Sequence, residues 1–107
     1  MIVYVNHLND SNFKESIKEG LWIVDIFAPW CGPCRQLSPI IDEFSAENSD
    51  KIRVGKINAD ESPDTMTELG VRSIPTILVY KDGEIVNRHI GMASKVKLGE
   101  LVKDFLN

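Results

Sequence analysis

"LWIVDIFAPWCGPCRQLSP", residues 21–39, carries a nearly all-apolar stretch straight into a pair of cysteines. Residues 21–28 are almost all aliphatic or aromatic, as in a central strand covered on both faces. The one charge in that run is Asp25. From Cys34 to about Asn48 the pattern changes period, with Leu37, Ile40, Ile41 and Phe44 recurring at helical spacing. Cys31 and Cys34 therefore fall at a strand-to-helix junction, with Gly32 and Pro33 between them and Trp30 just ahead.

The flanking sequence supplies a frame for that junction. "IVYVN" (2–6) reads as a strand, and "NDSNFKESIKEG" (9–20) as a short helix capped by Asp10 or Ser11 and closed by Gly20. "IRVGKINA" (52–59) is a further strand, followed by a brief helix that Ser62 or Asp64 starts and Gly70 ends. "TILVY" (76–80) and "EIVNRHI" (84–90) flank "KDG", where Asp82-Gly83 is a strong hairpin signal. Ser94 then caps a last helix whose apolar residues are Val96, Leu98, Leu101, Val102, Phe105 and Leu106. Strand–helix units followed by a hairpin predict a single α/β domain over residues 1–107. Its mixed sheet has parallel crossovers, an antiparallel edge and helices on both faces.

Composition removes several function classes. With 107 residues, 43% hydrophobic and 26% charged, the chain can bury a core without metals or staples. The net charge is −4 and no cluster of Lys and Arg appears, so a nucleic-acid footprint is missing. No run approaches the ~18 apolar residues of a membrane span. The start "MIVYVNHLND" has neither a basic n-region nor an apolar h-region, so a cytoplasmic protein is expected, or an organellar one freed of its transit peptide.

Two thiols three positions apart can clip a metal, staple a fold, pack a core or form a redox couple. A zinc site needs four ligands, and only His7 and His89 are left to add nitrogen ligands, neither in a ligand-like cluster. One disulfide across so short a loop constrains little chain entropy. A helix start, by contrast, leaves N–H groups unpaired and favours negative charge, so a thiolate at Cys31 gains there and its pKa is expected to fall. Gly32 permits a tight approach, and Pro33 is tolerated in a first turn because its missing donor is not needed. Cys34, one turn in, is close enough to close a disulfide.

"WCGPC" after an apolar strand with one buried acid resembles the thioredoxin family, and the likeness spans essentially the whole chain. It includes Asp25 in "VDIFA", Pro39 in the helix and Lys56 in "GKINAD". It also takes in "SIPT" (73–76), the "KDGE" hairpin and Gly91 in "HIGMAS". Phe27 and Arg35 depart from it, standing where a tryptophan and a lysine are common. The resemblance implies a thioredoxin fold, a five-stranded mixed sheet flanked by four helices. It also implies a general protein disulfide reductase: Cys31 attacks substrate disulfides, Cys34 resolves the mixed disulfide, and a reversible Cys31–Cys34 disulfide results. Asp25 would serve as proton relay for Cys34, with Lys56, Gly32 and Pro33 tuning the group. Trp30, Ile74, a cis Pro75 and Gly91 would form the substrate groove.

No cofactor or metal beyond the disulfide is implied. The implied partners are disulfide-bearing proteins and a thioredoxin reductase, NADPH/flavin-dependent or else ferredoxin-linked, acting on a monomer. His7 and His89 read as surface residues without a catalytic role, and Met66 and Met92 as core or groove packing. The rivals are an oxidase or isomerase, which would want a histidine between the cysteines and a signal peptide, and a binding module that keeps only the scaffold. A module would have little reason to keep both cysteines, Asp25 and Pro75 together.

Overall fold

The computed structural model describes residues 4–106. Strand β2 (Leu21–Phe27) is central and buried at every position but the last. On one side it pairs in parallel with β3 (Arg53–Asn58), which pairs in parallel with β1 (Val5–Leu8). On the other side it pairs antiparallel with β4 (Thr76–Lys81), which carries the edge strand β5 (Glu84–Ile90). The order β1-β3-β2-β4-β5 is the mixed five-stranded sheet expected from the sequence. Of the strand expected over 2–6, residues 2 and 3 lie outside the described residues, and β1 runs on through Leu8.

Period-two alternation divides β2 between two cores. Trp22, Val24 and Ile26 pack with Leu8, Phe13 and Ile17, the last two from α1 (Phe13–Ser16) and the turn after it. Met66 and Leu69 of α3 (Pro63–Leu69) cover the same face. Leu21 and Ile23 face the opposite way, onto Leu37, Ile41 and Phe44 of α2 (Gly32–Glu47). Leu98, Leu101 and Val102 of α4 (Lys95–Val102) complete that second core.

Local signals place the ends of these elements. Ser94 caps α4 by accepting from the Lys97 amide at 3.1 Å. The β4–β5 turn has positive φ at both Asp82 (50°) and Gly83 (88°), the geometry that an Asp-Gly hairpin favours.

Two expectations fail. The first helix is shorter than expected and starts from Asn12, with neither Asp10 nor Ser11 as its cap. The Asp10 carboxylate instead accepts from the amides of Asp64 and Thr65 and from the Thr65 hydroxyl, at 3.2, 2.8 and 2.6 Å. It thus holds the start of α3, and these bonds keep its carboxyl below the usual range. Leu106 lies exposed beyond the end of α4, and Val96, 73% exposed, is no part of the α4 stripe. Two residues from Leu98, it points to the opposite side of a helix that turns ~100° per residue.

Candidate active site

At the C-terminal end of β2 the chain turns through Ala28, Pro29 and Trp30 and enters α2. The turn is held by two hydrogen bonds: the Cys31 amide donates to the Ala28 carbonyl (3.1 Å), and Arg35 Nη1 donates to the Pro29 carbonyl (2.9 Å). Cys31 is the N-cap residue of α2, with extended backbone angles (φ −86°, ψ 114°). Its Sγ accepts from the Cys34 amide at 3.2 Å, so a sulfur occupies the place of the usual capping oxygen. The two cysteines are joined in a disulfide with Cα atoms 5.2 Å apart. Pro33 stands in the first turn, where no amide is missed. Gly32 has no such account within the chain, since a Cβ there would meet no atom within 4 Å.

Asp25 is 1% exposed, and its Oδ1 has no hydrogen-bond partner among the described residues. Burial pushes its pKa up to about 7; the Lys56 ammonium opposes the rise and the Asp42 carboxylate adds to it. Lys56 is its register neighbour on β3 and is itself buried. The Lys56 Nζ does not settle on Asp25: it donates to Ser38 Oγ and pairs with Asp42 Oδ1 at 3.0 Å, both on α2. Asp25 and Cys34 line one cavity of about 390 Å³, together with His7, Phe27, Arg35, Ser38 and Lys56 among others.

Beside the disulfide lies the Ile74–Pro75 loop. Its peptide bond is cis, and Ile74 packs against the cluster of Ala28, Cys31 and Cys34. The Gly91 amide donates to the Pro75 carbonyl at 2.9 Å. Gly91 has a φ of 97°, a conformation that favours glycine, and open space where a Cβ would be. Trp30 is 68% exposed, and its indole Nε1 donates to Asp60 Oδ2 at 3.0 Å. Ile90 and Met92, on either side of Gly91, are also exposed. The arrangement therefore joins a redox-competent sulfur pair, a buried acid with its pKa pushed up to about 7 and a rim with exposed apolar side chains.

Every sequence-predicted site residue is located around this one end of the sheet. Ser38, Asp42 and Asp60 are the residues that sequence reasoning missed. Ser38 and Asp42 share one face of α2 at i, i+4 spacing, a signal that was present beside the more conspicuous Leu37/Ile41 stripe. Among the described residues no group of three or more His, Cys, Asp or Glu could hold a metal ion, and no helix is long and apolar enough to cross a membrane.

The Thioredoxin family model matches residues 4–104. The chain is 43% identical over 97 residues to the thioredoxin of Bacillus subtilis, covering 91% of this chain and 93% of that one. It is 50% identical over 96 residues to the thioredoxin of Rickettsia typhi, covering 88% and 91%. To the chloroplastic M-type thioredoxin of Pisum sativum it is 46% identical over 104 residues, which are 95% of this chain but 60% of that longer protein.

Proposed function

The chain belongs to the thioredoxin family and is a thiol–disulfide oxidoreductase, and from that premise we propose how its residues divide the work. The Cys31 thiolate attacks one sulfur of a target disulfide, forming a Cys31–target bond and releasing the target's other sulfur as a thiolate. Cys34 gives up its proton and attacks the Cys31 sulfur. The Cys31–Cys34 bond forms, the bond to the target breaks, and the target leaves with both sulfurs reduced. Two electrons have moved, and the two sulfurs are a complete couple for them without a further cofactor.

The position of Cys31 as the cap of α2 carries this assignment. A negative sulfur there accepts from the Cys34 amide and meets the positive end of a sixteen-residue helix. Cys34 lies inside the first turn, against the cavity that holds Asp25, so the Asp25 carboxylate is the base that takes its proton. Lys56 acts on Asp25 through its charge, moderated by Asp42. Trp30, Ile74, Pro75 and Gly91 form the groove for an extended target segment.

Electrons return from a thioredoxin reductase, NADPH- and flavin-dependent or ferredoxin-linked. The chain works as a monomer in the cytoplasm or in an organelle such as the chloroplast, after which the Pisum sativum relative is named. The test is asymmetry. In the reduced protein iodoacetamide should alkylate Cys31 much faster than Cys34. Cys34→Ser should accumulate mixed disulfides with insulin and Cys31→Ser none. Equal labelling rates, or mixed disulfides held on Cys34, would overturn the division of roles.

A further inference from the structure

The strand register sets five side chains in one row across the sheet: His7, Lys56, Asp25, Ile77 and His89. The row lies on the α2 face, where Lys56 meets Ser38 and Asp42. Its two ends are histidines on the two edge strands, and they differ. His89 is separated from Asp25 by the fully buried Ile77, and its Nε2 lies 2.8 Å from the Met92 carbonyl, to which it donates. His7 is exposed at the β1 edge and lines the same cavity as Asp25 and Cys34. With neighbouring strands ~4.8 Å apart, the His7 and Asp25 backbones stand about 10 Å from each other. The cavity between them is roomy enough for several water molecules.

From this geometry we propose that His7 is the group through which the buried Asp25 carboxyl exchanges its proton with solvent. The inference rests on the reading of Asp25 as the base for Cys34. Near neutrality the Asp25 carboxyl is partly protonated, and it must lose that proton before it can take the one from Cys34. The carboxyl passes that proton across the cavity to a free nitrogen of the neutral His7 ring, and the imidazolium releases it to bulk water. Asp25 then takes the Cys34 proton, so Asp25 and His7 end as they began and each resolving step sends one proton from the protein to bulk water. The other charged groups facing the cavity are poorer acceptors. Lys56 and Arg35 are donors with no acceptor lone pair, and the Asp42 carboxylate is already engaged by the Lys56 ammonium. Imidazole is the side chain whose charge ordinarily changes between pH 5 and 8.

The experiment mixes the reduced protein with an aromatic disulfide whose two coloured thiols leave in successive steps, in a stopped-flow instrument. The first phase reads attack by Cys31 and the second reads resolution by Cys34. His7→Gln should leave the first phase unchanged and slow the second roughly three- to tenfold between pH 6 and 7.5. That is well short of the ~10²–10⁴-fold expected from losing a general base itself. Added imidazole should restore the second phase, and His89→Gln should match the parent. A second phase in His7→Gln equal to the parent's at every pH overturns the inference, as does a loss that imidazole fails to rescue or that His89→Gln shares. Asp25→Asn separates the two layers. If it resolves at the parent's rate, the base reading itself fails; if it is slow while His7→Gln is fast, only the exchange role fails.

Discussion

On one side of β2, Trp22, Val24 and Ile26 pack into a hydrophobic cluster, with Leu8, Phe13, Ile57 and Leu78 among its members. On the other side Ile23 begins in the same manner, but Asp25 follows two positions later, with an unpartnered oxygen, a buried lysine beside it and a cavity against it. The two faces belong to the same seven residues and the same sheet, so strand propensity does not separate them. One face is arranged for packing alone. The other gives up packing at one position, at the end of the strand where the disulfide lies. An ionisable group so placed is expensive to charge, and that expense is what brings its pKa near neutrality. A departure from the hydrophobic pattern, confined to one face, marks the chemistry.

Substitutions can break that contrast. Ile26 is fully buried between Ile57 and Thr76. Ile26→Ala should cost about 2–5 kcal/mol in urea unfolding, and the same amount at pH 5 as at pH 8, because no charge is involved. A pH-dependent cost would mean the two faces are coupled. Asp42→Asn should have a smaller effect on the other face. It removes a charge that raises the Asp25 pKa and frees the Lys56 ammonium to act on Asp25. The Asp25 pKa, followed by carbon-13 NMR of its carboxyl, should fall by up to roughly one unit. No fall, or a rise, would show that Lys56 does not reach Asp25.

Much of this was legible in the chain itself. The β2–α2 junction, the Asp82-Gly83 turn and the Ser94 cap all rest on neighbours in sequence, and each appears where those neighbours put it. What depends on distant pairing did not show. Asp10 looks like a cap for the helix beside it, yet its carboxylate bonds Thr65, 55 positions away. Lys56 looks like a partner for Asp25, and only the docking of α2 reveals Asp42 as its counter-ion. His7 and His89 are equivalent as residues in a strand pattern. The β1–β3 register and the cavity distinguish them.

Asp25 is held at a cost to stability, which urea unfolding of Asp25→Asn beside the parent from pH 4 to pH 8 would read out. The folded pKa of about 7 lies above the ~3.9 of an unfolded chain, so the folded state binds the proton more tightly. Below about pH 4 the carboxyl is protonated in both states and imposes no penalty for charge. As pH rises the parent loses stability through this group until about pH 7, and above that the loss is complete, at roughly 4 kcal/mol. Asparagine keeps the shape and never ionises. The variant's advantage over the parent should be smallest at pH 4, widen up to about pH 7 and then level off. A difference that stays flat across the range, or a variant less stable than the parent at pH 8, would contradict it.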